Sequence, residues 1–264
     1  TMYVNSSGFQ NSAFGSGALY SNISGSRNAA FGLDVMNENT TGTENSAFGS
    51  DALDHNTTGY GNTAFGFQSL KSNATGDFNV GVGYTAFGTT TATSSGSSNV
   101  AVGRNTLFDN LTGNYNIALG EESLNSNISG SNNVGIGRQA LRDNTVGDGQ
   151  VAIGFAALRA NTTGYWNTAV GDTALLENTT GIINTAFGKG ALSANITGGT
   201  NTAVGGGALA YNVDGSSNSA FGAEAMSSNM SGSYNVAIGQ RSLYSNASGS
   251  NNIGIGSSSF GTTT

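Results

Sequence analysis

One period governs this chain. Asn or Gln followed four residues later by Gly occurs at Asn11, Asn28, Asn45, Asn62 and Asn79, then at Asn99, Asn116, Asn133, Gln150, Asn167, Asn184, Asn201, Asn218, Asn235 and Asn252. Every step is 17 residues except the 20 from Asn79 to Asn99. Counting from that Asn, the unit reads N-[TSVI]-[AG]-[FVI]-G-x-x-[AS]-L-x-x-N-x-[TS]-G-x-x. A unit this short cannot bury a core alone, so units must stack as a solenoid, one per coil. Residues 1–264 therefore read as a single solenoid. A partial coil spans 1–10, 17-residue coils run from 11, a 20-residue coil spans 79–98, and a partial coil spans 252–264.

Each position of the unit then has an expected place. Positions two to four read as a short strand, whose side chains alternate between faces. All six Phe at position four have Ser, Thr or Ala two residues earlier, whereas most other copies pair two medium side chains, such as Val151 with Ile153. Large beside small is what a shared core volume demands. This places Phe14, Phe31, Phe48, Phe65, Val82, Val102, Ile136, Ile153, Phe187 and Phe221 inside. Position three, always Ala or Gly, then faces outward. An unbroken row of tiny side chains, among them Ala13, Ala30, Ala47, Ala64, Gly81, Ala101 and Ala118, suggests that another surface comes close. Packing between identical chains is the simplest form of that surface. A tight bend within the coil and a face matched to ice are the alternatives.

Positions six to eleven contain few β-branched residues, and Gly, Ala, Leu and Asn recur there at helical spacing. The expectation is a helical turn or two, with a second short strand as the alternative. Leu19, Leu53, Leu70, Leu107, Leu124, Leu141, Leu158, Leu175, Leu192 and Leu209 face inward in either case. Of 23 charged residues, 18 fall at positions six, seven, ten and eleven, which marks an outer face. The segment N-x-[TS]-G fits a type I turn with Asn first and Gly last. The fold class is thus a β-rich parallel β-roll or β-helix of about fifteen coils. At roughly 4.8 Å per coil these would stack to about 75 Å.

Stacked coils also stack their Asn side chains. Asn11, Asn28, Asn45 and Asn62 form one expected amide ladder, and Asn22, Asn39, Asn56 and Asn73 a second. Eleven units carry a glycosylation sequon at this second Asn, including Asn161 and Asn229. Sites one coil apart are too crowded for general occupancy, so these residues read as a turn-forming Asn ladder.

The stretch YTAFGTTTATSSG at 84–96 imitates the strand motif out of register. The strand motif of its coil is Asn79 to Gly83, so Ala86 and Phe87 occupy the Ala-Leu positions and Phe87 replaces Leu in the core. The Thr run and three added residues predict a local loop or bulge. The chain ends on a similar stretch, Ser259 to Thr264.

Composition bounds the chemistry. The chain has 42 Gly, no Pro, no Cys and only 9% charged residues. Absence of Cys removes disulfides and thiolate metal sites. A net charge of −7 leaves no electrostatic footprint for nucleic acid. No apolar run approaches a membrane span, and the start lacks the regions of a signal peptide. The GxG triplets at 81–83, 135–137 and 254–256 lack the remaining residues of a phosphate loop. The acidic cluster Asp34, Glu38, Asp51, Asp54 and His55 is a weak candidate for a hard cation. It sits on the charged outer face, where such residues are normally solvated. Tyr165 and Trp166, at a corner, could stack on a sugar. No acid–base constellation recurs, so no catalytic residue and no cofactor is expected.

The strand motifs YNVAIG (234–239), QVAIG (150–154) and NNVGIG (132–137) resemble the head repeats of trimeric autotransporter adhesins. The full unit, as in NTAFGKGALSANITG (184–198), resembles repeat arrays in phage tail fibres and related bacterial surface fibres. The resemblance implies an extracellular, cell-surface or virion fibre that spaces or attaches. Its implied partner is itself, as a homotrimer or filament, with a cell-surface glycan as a further possibility. An ice-binding solenoid is the alternative, followed by a carbohydrate-binding or hydrolytic fibre.

Overall fold

The computed structural model describes residues 4–88 and 93–260. The fold is a parallel β-solenoid with fifteen strands of three residues each, one per coil. Two compact units make it up, Thr1–Asn132 and Asn133–Thr264. The first holds seven strands, β1 (Ser12–Phe14) through β7 (Ile117–Leu119), and the second holds eight, β8 (Val134–Ile136) through β15 (Ile253–Ile255). Register follows the repeat: Ser12 pairs with Ala29, Ala13 with Ala30 and Phe14 with Phe31. Across the long coil Val80 still pairs with Val100, so its three extra residues leave the strand ladder intact.

The faces of these strands are the reverse of the expectation. Ala30, Ala47, Ala64, Ala101 and Ala118 are fully buried, and Gly81 is buried with them. Only Ala13, in the first complete coil, is half-buried. Phe14, Phe31, Phe48, Phe65, Val102, Ile153, Phe187 and Phe221 are exposed, and Val82 and Ile136 are half-buried on the same outer side. The reason is the width of the coil. Position three faces position nine of the preceding coil so closely that a Cβ on Gly81 would lie 3.0 Å from Leu70 Cγ. At position three a core this thin accepts a methyl group and no ring. The row of small residues is therefore the inner lining of the coil and not a self-association face.

Leucine supplies the bulk of the core. All ten Leu named above, together with Met36 and Met226 at the same position, are fully buried. They do not sit on helices. Leu19 N–H donates to the Val35 carbonyl of the next coil at 3.0 Å, while Asp34 N–H donates to the Ser16 carbonyl of the previous one at 2.9 Å. Within the coil, Tyr20 N–H reaches the Gly17 carbonyl, three residues back. Positions seven and nine adopt positive φ, as at Asp34 (50°) and Met36 (49°). This alternation turns successive peptide groups toward opposite neighbours, so backbone polarity is satisfied between coils, which a helix would satisfy internally.

The coil turns at two glycines. At position five φ lies between 112° and 140°, and a Cβ on Gly49 would strike the Gly66 carbonyl of the next coil. At position fifteen the corner is closed by a side chain, not by the backbone bond of a type I turn. Asn22 Nδ2 donates to the Gly25 carbonyl at 3.0 Å, and Gly25 N–H points to Thr40 of the next coil.

In the 20-residue coil Phe87 is buried at 1% exposure with φ of 53°, and its N–H donates to Thr106 at 2.8 Å. It replaces Leu in both packing and backbone. The expected loop falls largely on residues 89–92, outside the described residues, as does the end of the chain at 261–264.

Candidate functional site

Two columns of buried amides hold the coils. In the first, Asn28 Nδ2 donates to the Gly42 carbonyl at 2.8 Å, and Asn28 Oδ1 accepts from the N–H of Asn45 at 3.0 Å. In the second, Asn39 Nδ2 donates to the same Gly42 carbonyl at 3.1 Å and to Asn22 Oδ1 of the previous coil at 2.8 Å. One glycine carbonyl thus receives both columns in the 17-residue coils, as Gly76 receives Asn62 and Asn73. Asn56 and Asn73 continue the second column, at 2.7 and 3.1 Å, and Asn62 the first. The sequon nitrogens of Asn161 and Asn229 are fully buried and hydrogen-bonded within these columns. Their recurrence serves the ladder. The second column is interrupted at the long coil, where the residue buried opposite Asn73 is Ser94 and not Asn. There Asn73 Oδ1 accepts from Asn79 at 3.2 Å, and Asn73 bridges Ser94.

The acidic cluster is an ion-pair network. Lys71 Nζ lies 3.1 Å from Asp51 Oδ2 and 3.9 Å from Asp54 Oδ2, and His55 Nδ1 lies 3.1 Å from Glu38 Oε2. Asp34 instead faces Asn37, at 3.4 Å. Burial pushes Asp51 upward, but hydrogen bonds from Gln68 and Lys71 outweigh it and hold the carboxyl below its ordinary value. Burial raises Asp54, and the attraction of His55 and Lys71 offsets this only in part. Lys71 already supplies the positive charge that a cation would bring. Among the described residues no group of three or more His, Asp or Glu is arranged to hold a metal ion.

The outer face of the strands is the most extensive feature left open. Positions two and four carry no charged residue in any of the fifteen coils. In the first unit the phenyl rings form a column, Phe31 over Phe48 with centroids 4.9 Å apart and planes within 1°. Phe14 and Phe65 extend it at 6.5 and 5.8 Å. In the second unit Ile153, Phe187, Phe221, Ile238 and Ile255 lie on the corresponding face, all exposed. Charged residues pair elsewhere on the coil: Arg104 with Glu121 at position six, Arg241 with Glu224 at position seven (2.6 Å), and Arg27 with Glu44 at position seventeen, just before the strand (2.7 Å).

Two cross-coil pairings were missed in the sequence, although both leave a signal there. Every Gly at position three lies twelve residues after a Ser at position eight: Ser69 and Gly81, Ser123 and Gly135, Ser242 and Gly254. A Cβ on Gly81 would lie 2.6 Å from Ser69 Oγ, and one on Gly254 2.8 Å from Ser242 Oγ. The serine hydroxyl takes the space of the missing methyl. At position seventeen, Gly61 and Gly149 each lie beneath an aromatic residue one coil on, Phe78 and Trp166.

The residues thus define a class, a parallel β-solenoid laced by two asparagine columns, with a continuous uncharged face along the strands of each unit. No family model, curated protein or solved structure matches the chain.

Proposed function

We propose that this chain is a structural fibre or adhesin segment, acting outside the cell or on a virion, whose copies pack together through the outer face of their strands. One observation carries the reading: fifteen coils keep positions two and four free of charge while exposing Phe, Ile and Val there. Exposed apolar patches of this extent mark interaction surfaces, and an obligate interface resembles a core cut in half. The pairing of large with small at positions two and four keeps the combined side-chain volume of the face nearly constant, as a second close-packed surface would require. A trimer is the assembly favoured by the resemblance of the strand motifs to trimeric adhesin heads.

Sedimentation velocity with light scattering tests the reading. Purified chain should form a stable oligomer at micromolar concentration. The double variant Phe31→Glu, Ile153→Glu places one charge on the face of each unit and should be monomeric with an unchanged circular dichroism spectrum. A wild-type chain that runs as a monomer would sink the proposal.

A further inference from the structure

We infer that the corner formed by Asp148, Thr163, Tyr165 and Trp166 is a binding site for a single neutral saccharide residue, separate from the strand face. These residues, with Val146 and Gly147, line a cavity of about 250 Å³ in the second unit. That size admits one pyranose ring and not a longer oligosaccharide seated whole.

The corner is fixed by the backbone on which it stands. Trp166 adopts φ of 56°, and its N–H donates to the Asp148 carbonyl of the preceding coil at 3.0 Å. Its pyrrole edge lies over Gly149, itself at φ of 65°, so closely that a Cβ there would come within 2.5 Å of Trp166 Cδ1. A glycine under the indole seats the ring, and any larger residue would displace it. Tyr165 meets the indole edge-to-face, with centroids 5.1 Å apart and planes at 89°. This contact orients both rings in the way aromatic pairs prefer.

The chemistry on offer is an aromatic platform beside a carboxylate and a hydroxyl. The C–H faces of a pyranose stack on an aromatic ring, while Asp148 and Thr163 can accept hydrogen bonds from its hydroxyls. Few convergent polar groups beside apolar surface is the usual composition of a small-molecule site. A quaternary ammonium ion is the competing occupant, since aromatic rings also attract cations. Cation–π attraction becomes large only when desolvated, and Trp166 is 63% exposed. The open platform favours the sugar.

Trp166 is the only tryptophan in the chain, so its fluorescence reports on this corner alone. The 264-residue chain is titrated with the methyl glycosides of glucose, galactose, mannose and N-acetylglucosamine, and separately with choline chloride. At least one glycoside should shift or quench the emission with a millimolar Kd, and Asp148→Asn and Tyr165→Ala should each weaken that response at least fivefold. Saturation-transfer NMR should show the same glycoside losing its signal in Trp166→Ala, whose circular dichroism verifies folding. Silence toward all four glycosides, a response to choline alone, or binding that survives all three variants would each overturn the inference. None of these outcomes depends on the oligomeric state, which tests the fibre reading on its own.

Discussion

At the residue scale, the core is so thin that single atoms decide what fits. Ser69 Oγ is buried with no hydrogen-bond partner, in the space that a methyl on residue 81 would fill. Gly81→Ala alone should destabilise the chain by about 1–2 kcal/mol through overpacking. Ser69→Ala removes an unsatisfied hydroxyl, which costs about 1 kcal/mol or more when buried, but leaves the gap. The double variant recreates the Ala-Ala arrangement of neighbouring coils and should be more stable than wild type. A double-mutant cycle in urea should give a coupling of at least ~1 kcal/mol, and strict additivity would refute the pairing. Asp109 is a second such case, because burial alone raises its carboxyl above the ordinary value. The folded state then holds that proton more tightly than the unfolded one, so stability from this group falls as pH rises through the carboxylate range. Asp109→Asn should raise the midpoint of thermal unfolding at neutral pH. The gain should vanish as pH falls below that range, where both side chains are neutral.

At the scale of the element, the repeat set the coil length, the parallel register and the leucine core, because these depend only on which residues recur and how far apart. It misplaced the faces of the strand. Covariation of Phe14 with Ser12 and of Phe31 with Ala29 reports a shared constraint on volume but not the side on which it acts. The inward identity of position three follows from coil width, a three-dimensional quantity on which that covariation is silent. The twelve-residue step from Ser69 to Gly81 does identify the inner pair, since it links position three to the leucine segment. The helical reading of positions six to eleven failed for a related reason. Spacing of Gly, Ala, Leu and Asn matches a helix, yet a stacked coil must bond to the coils on either side of it, and positive φ at positions seven and nine achieves that. Positive φ costs an L-residue roughly 1–2 kcal/mol, and β-branched residues tolerate it least. Thr173 occupies position seven with φ of 55°, whereas the next coil has Gly190 there at 66°. Thr173→Gly should therefore stabilise the second unit, by up to ~1 kcal/mol after the added entropy of the unfolded chain is subtracted. A fall in stability, measured by chemical denaturation, would mean that the hydroxyl bond from Thr173 to the Asp172 carbonyl outweighs the strain.

At the scale of the whole molecule, charge is kept off the outer strand face in every coil. Eighteen of 23 charged residues lie at positions six, seven, ten and eleven, and none at positions two and four. The two sides predict opposite responses of assembly to salt. Contacts made through the charged side would be screened, since the Debye length shrinks to about 3 Å at 1 M ionic strength. Contacts made through Phe31, Phe48, Ile153 and Phe221 involve no charge, and sulfate strengthens apolar burial by its exclusion from protein surface. Association of the chain should accordingly hold constant or tighten as sodium sulfate is raised, and should loosen on cooling as hydrophobic attraction weakens. Sedimentation equilibrium across a salt series at two temperatures separates the cases. Tenfold weaker association at high salt would assign the interface to the ion-paired side, where Arg104 and Arg241 now meet glutamates of adjacent coils in their own chain. Those pairings favour the predicted outcome, because an arginine already neutralised within its chain has little charge left to offer a second copy.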